Sequence, residues 1–137
     1  MPRILAIDYG YKRTGLAHTD LNKMIASPLE TVLTKEIFHY LTNYFNEEDV
    51  ETIVVGNPKK LNNEPALISN KVQLFINKLK KKFSIPVYLI DERFTSKIAV
   101  KSLVAANMKK TKRQDKAMID QISATLILQS FLDRANL

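Results

Sequence analysis

Residues 3–9 alternate and are rich in Ile, Leu and Ala, the pattern of a buried strand. Gly10, Tyr11, Lys12 and Arg13 read as a turn, and residues 14–19 as a second strand that returns along the first. Residues 24–32 add a third strand, which Pro28 confines to an edge or a bulge because proline donates no ladder hydrogen bond. The period then changes. Ile37, Phe38, Leu41, Tyr44 and Phe45 predict a helix over 36–45 with one apolar face. Residues 52–56, TIVVG, form a short continuous apolar run, as strands buried on both faces of a parallel sheet do. A polar loop is expected over 57–65. Ile68, Val72, Phe75, Ile76 and Leu79 then line one face of a helix over 68–83. Residues 87–90 are another buried strand, entered through Pro86. A helix over 95–107, with Thr95 or Ser96 as its N-cap, precedes a basic loop over 108–116. Residues 117–132 are apolar nearly all round and predict a buried helix.

The predicted order is three strands, a helix, a strand, a helix, a strand and two helices. A hairpin meander followed by alternation implies an α/β fold, a mixed sheet with helices on its faces. The length of 137 residues suits a single domain, 1–137, when domains average ~150 residues. With 45% hydrophobic and 26% charged residues, the composition is that of an ordinary globular chain.

The absence of Cys excludes disulfides, thiolate metal sites and thiol nucleophiles. The N-terminus, MPRILAIDYG, lacks a signal-peptide pattern, and no apolar run approaches the ~20 residues of a membrane span. A cytoplasmic protein without a membrane partner is expected. Lys and Arg number 21 against 14 Asp and Glu, a net charge of +7. Such a surplus suits a phosphate backbone, because each neutralised phosphate releases a counterion.

Acids appear where apolar runs stop. Asp8 ends the first strand, and Asp91 and Glu92 follow the run VYLI. If those two strands are parallel, their acids lie at one edge of the sheet, where α/β sheets build their sites. Asp120 stands early in the last apolar helix, where a carboxylate is costly without a partner or a cation. Carboxylates without a His or Cys cluster suit a hard cation such as Mg²⁺ or Mn²⁺, and paired ions of this kind cleave phosphodiesters. Basic residues lie close to each acid in sequence: Lys12 and Arg13 after Asp8, Arg93 after Glu92, and Lys109, Lys110, Lys112, Arg113 and Lys116 before Asp120. Lys59 and Lys60 follow the TIVVG strand. Metals for the scissile phosphate and cations for its neighbours describe a nucleic-acid substrate.

Other motifs fail. Gly10 and Gly15 have phosphate-loop spacing, but Leu16 and Ala17 stand where Lys and Ser or Thr are needed. His18 and His39 are isolated, and Thr95 and Ser96 have no triad pattern.

The stretches IDYGYKRTGLA (7–17), VVGNPKKLNNEP (54–65), DERFTS (91–96) and KRQDKAMIDQISATLILQSFL (112–132) span nearly the whole chain. Together they resemble the YqgF/RuvX family, Holliday-junction-resolvase-like nucleases linked to pre-16S rRNA processing. The resemblance implies an RNase H-like fold, with a mixed five-stranded sheet and helices on both faces. It implies Asp8, Glu92 and Asp120 as metal-binding catalytic acids. It also puts Lys12, Arg13 and Arg93 on characteristic family positions. The acid of the family's 54–65 loop is missing, so that loop is not expected to supply a ligand. The expected function is a Mg²⁺- or Mn²⁺-dependent endonuclease on structured nucleic acid, with the 5′ end of precursor 16S rRNA as substrate and ribosomal precursor particles as partners. Lys12, Arg13, Lys59, Lys60, Arg93, Lys112 and Arg113 would bind the backbone. The alternatives are resolution of branched DNA junctions and a non-catalytic RNA-binding role in ribosome assembly.

Overall fold

The computed structural model of the chain describes residues 2–20, 25–58, 69–92 and 116–135. Its strands are β1 (Arg3–Asp8), β2 (Arg13–Thr19), β3 (Ala26–Leu33), β4 (Val50–Pro58) and β5 (Val87–Glu92). They form one sheet in the order β3-β2-β1-β4-β5. β1 is antiparallel to β2, and β2 to β3, while β4 runs parallel to both β1 and β5. A 3-10 turn, Thr34–Glu36, leads into α1 (Ile37–Glu47), followed by α2 (Ser69–Lys82) and α3 (Lys116–Ala135).

Successive side chains of a strand point to opposite faces, so each strand feeds two layers. Leu5, Ile7, Leu16, Ile53 and Val55 pack with α1 and α2 through Ile37, Leu41, Tyr44, Val72, Phe75, Ile76 and Leu79. The alternate positions, Ile4, Ala6, Ala17, Val54 and Ile90, pack with Ala124, Ile127, Leu128 and Leu132 of α3. Helices therefore cover both faces. β4 lies between two parallel neighbours and feeds both layers, which is why its run is continuous rather than alternating.

Several expectations are adjusted. Pro28 is both at an edge and at a bulge: β3 is an outer strand, and its register shifts where Leu16 pairs with Glu30 but Ala17 pairs with Pro28. Asp91 and Glu92 do not follow β5 but belong to it, because they pair with Asn57 and Pro58 of β4. Arg13 belongs to β2 rather than to the turn, being paired with Leu33. The buried-helix expectation for residues 117–132 is corrected. Only one stripe of α3 is buried, because the helix lies on the outside of a single sheet face; Met118 is 36% exposed, and Gln129 and Ser130 are exposed too. The predicted helix over 95–107 and most of the basic loop lie outside the described residues.

Candidate active site

Asp8 is the last residue of β1 and stands directly opposite Gly15 of β2. Directly opposed residues of an antiparallel pair share a face. The pair Ala6 and Ala17, one step back, packs against α3, so Asp8 and Gly15 lie on that side as well. A side chain at Gly15 has nowhere to go. A Cβ built there would collide with the backbone carbonyl of Asp120 and stand 3.0 Å from the Asp120 Cβ. Glycine is thus what lets the helix touch the sheet at this point. Asp120 itself continues the buried stripe of α3, one helical turn before Ala124 and two before Leu128. Two half-buried carboxylates, Asp8 and Asp120, are therefore brought to either side of Gly15.

Arg13 lies two residues before Gly15 and shares its face. Its Nε donates to Asp120 Oδ2 at 3.0 Å. The two side chains are 38% and 24% exposed, so solvent screens the pair and its worth to stability is only ~0–1 kcal/mol. Its larger effect is on the direction in which the Asp120 carboxylate is held.

The turn from β1 to β2 is anchored at several points. The Tyr9 ring packs against Phe75 of α2 in a tilted arrangement, with centroids 4.6 Å apart. Burial, with Tyr11 nearby, raises the Tyr9 pKa above its ordinary value and keeps the phenol neutral. Thr34 holds the turn twice: its hydroxyl donates to the Gly10 carbonyl at 2.7 Å, and its backbone N–H donates to the Lys12 carbonyl at 2.9 Å. Since that hydroxyl proton is used, Thr14 must donate to Thr34 Oγ1 across their 2.8 Å contact. Gly10 is required because a Cβ there would meet the Arg13 carbonyl. Lys12 is exposed beside this clamp.

β5 ends at the same edge. Ile7 pairs with Val55, and Val55 with Leu89, so Asp8 is level with Gly56 and Ile90. Position 92 lies two residues, roughly 7 Å, beyond that level. Among the described residues no group of three or more His, Asp or Glu side chains is assembled into a metal site. What is described there, two carboxylates with oxygen donors only, matches the preference of a hard divalent cation. Lys59, Lys60, Arg93, Lys112 and Arg113 lie outside the described residues.

His18 is away from this edge. It pairs with Leu5, three residues back from Asp8, and its Nδ1 is 2.7 Å from the hydroxyl of Tyr44 on α1. Burial lowers its pKa, Arg3 lowers it further, and Glu48 partly opposes them. Burial pushes the Tyr44 phenol far above the ordinary tyrosine range. His39 is exposed on α1, next to Asn43. Sequence reasoning missed Gly15 and Thr34. A glycine inside a buried strand was a signal for close approach; nothing in the sequence marked Thr34.

The sequence model described as "RuvX: Holliday junction resolvase" matches residues 2–134. A Christiangramia forsetii protein named "Putative pre-16S rRNA nuclease" is 51% identical over 133 residues, covering 96% of this chain and 98% of its own. A Bacteroides fragilis protein of the same name is 47% identical over 138 residues, the whole of both chains. Among solved structures, Thermus thermophilus RuvC in complex with a Holliday junction substrate is similar with a TM-score of 0.58 at 17% identity, over 99% of this chain and 97% of that one. The fowlpox virus Holliday junction resolvase is similar with a TM-score of 0.55 at 13% identity, over 98% and 99% of the two chains. These likenesses establish the shared RNase H-like fold.

Proposed function

Because this chain belongs to the RuvX family, we propose that it is a divalent-metal-dependent endonuclease that processes the 5′ end of precursor 16S rRNA. The observation that carries the reading is the convergence of Asp8 and Asp120 across Gly15, at the edge where β1, β4 and β5 all end. Two acids from opposite ends of the chain are brought to one edge of the sheet.

In this reading Asp8 and Asp120 hold Mg²⁺ or Mn²⁺, with Glu92 as the third acid. A hard divalent cation supplies charge neutralisation at the scissile phosphate and a water of lowered pKa. The chain's own groups do the rest. Arg13 fixes the direction of the Asp120 carboxylate. Lys12, beside the clamped turn, binds a neighbouring phosphate, and Lys59, Lys60, Arg93, Lys112 and Arg113 extend that contact. The relatives' name supports the substrate, and a bacterial cytoplasm with ribosomal precursor particles as the partner is the setting proposed with it. The matching family is described as a Holliday junction resolvase, which favours a second reading, cleavage of four-way DNA junctions.

One experiment separates them. Precursor 16S rRNA fragments and a four-way DNA junction are incubated side by side with Mg²⁺, Mn²⁺ or EDTA, using wild type and Asp8→Asn. Metal-dependent RNA cleavage that Asp8→Asn abolishes is expected. Junction cleavage alone selects the second reading. Undiminished cleavage in EDTA or by the variant removes the metal mechanism.

A further inference from the structure

Tyr11 is 60% exposed, among the most exposed large apolar side chains of the described chain. A single exposed aromatic is unremarkable on a mobile loop. This one is held differently. The carbonyls on both sides of it, of Gly10 and Lys12, each accept a hydrogen bond from Thr34, at 2.7 and 2.9 Å. Two residues earlier, Tyr9 is locked on Phe75. Two residues later, Arg13 is engaged with Asp120. The turn is therefore fixed on every side while the Tyr11 ring stands in solvent, three residues from Asp8 and next to the exposed Lys12.

A rigid aromatic beside a cation, at the rim of a carboxylate site in a chain of net charge +7, has a chemical complement. That complement is a planar ring attached to a phosphate. A preorganised turn avoids the ordering cost that a mobile one would incur on binding. Bases inside a duplex have both faces covered by their neighbours, whereas unpaired bases offer a face to an aromatic side chain. We propose that Tyr11 is a stacking platform for an unpaired nucleobase, with Lys12 on the adjoining phosphate, so that the site prefers single-stranded segments over continuous duplex. This inference rests on the nucleic-acid reading above and adds to it the kind of strand the site accepts.

The test measures binding, in EDTA so that nothing is cleaved. A fluorescein-labelled RNA strand of mixed sequence, alone or annealed to its complement, is titrated with the full chain by anisotropy. Wild type is compared with Tyr11→Ala and Tyr11→Phe. Loss of stacking on one base weakens single-strand binding about tenfold in Tyr11→Ala, equivalent to about 1.4 kcal/mol. Tyr11→Phe binds within about twofold of wild type, because the ring and not the hydroxyl stacks. The salt slope of binding stays unchanged in both, since no phosphate contact is lost. Duplex binding is equal in all three proteins. Because the ring is exposed, melting temperatures match wild type, which excludes misfolding as the cause.

The chain has no Trp, so Tyr11→Trp adds the sole tryptophan at the platform, excited selectively over the remaining tyrosines. Its emission is expected to be quenched by the single strand and not by the duplex. Single-strand binding by Tyr11→Ala equal to wild type, or an equal loss for both nucleic acids, overturns the platform while leaving the nuclease reading intact. Failure of wild type to bind the single strand overturns the platform, and the cleavage assay above decides the nuclease reading separately.

Discussion

The contact between Gly15 and Asp120 makes a prediction whose sign discriminates between two physical accounts. Gly15→Ala adds one methyl group to β2. If that methyl had room, the variant would be more stable, because alanine restricts the unfolded chain and contributes ~0.4–1 kcal/mol. The structure leaves no room: the methyl would meet the carbonyl carbon and oxygen of Asp120, which belong to the backbone of α3 and cannot rotate away. Relief requires a shift of the first turns of α3 away from the sheet. Overpacking of this kind costs ~1–3 kcal/mol. An unfolding entropy of ~2.1 cal/mol/K per residue over 137 residues is ~0.29 kcal/mol/K, so each kcal/mol moves Tm by ~3.5 °C. A fall in Tm of ~3–10 °C is expected in a circular-dichroism melt. The same shift carries Asp120 away from Asp8, so a calorimetric titration with Mn²⁺ should show weaker binding than wild type at a temperature where both are folded. A Tm equal to or above that of wild type would refute the reasoning, because the close approach of α3 would then not exist.

Arg13→Gln removes the cation from Asp120 but leaves the strand intact; a Tm loss below ~4 °C is expected, shrinking further in high salt, since the pair is partly exposed. A larger, salt-independent loss would show that Arg13 is a core element instead. His18 supplies a pH dependence: its folded pKa lies below the ordinary 6.5, so the folded state binds fewer protons than the unfolded one. Its contribution is therefore complete above about pH 6.5 and is lost as the pH falls through the lowered folded value. Melts between pH 7.5 and about 5 should show Tm falling for wild type and a shallower slope for His18→Asn. Parallel slopes would remove His18 as the source.

Much of the fold was legible because the apolar pattern carries it. The change from period two to period 3.6 separates the hairpin from the helices, and the continuous run at 52–56 marks a strand with parallel neighbours on both sides. Asp8 and Asp120 stood out for the same reason: a carboxylate interrupting an apolar pattern is costly wherever burial follows, so its presence asks for a partner. The strand ends were less legible. Asn57 and Pro58 look like loop residues and Asp91 and Glu92 look like a turn, yet they pair with one another, because ladder hydrogen bonds are made by backbone groups, of which even a strand-end proline keeps its carbonyl. The single buried stripe of α3 was hidden too, since composition counts apolar residues but not which of them another layer covers.

The two periodicities, the acids and the basic surplus are properties of residues and their spacing, and they are read directly along the chain. Which residues meet depends on the packing of the layers. The missing side chain of Gly15 admits α3 and brings Asp120 to that edge. Arg13 turns onto Asp120, and Thr34, in the 3-10 turn after β3, fixes the turn that carries Tyr11 and Lys12. These are contacts between segments distant in the chain. Their geometry depends on strand order and on how closely layers can pack, and neither is encoded in any local window of sequence.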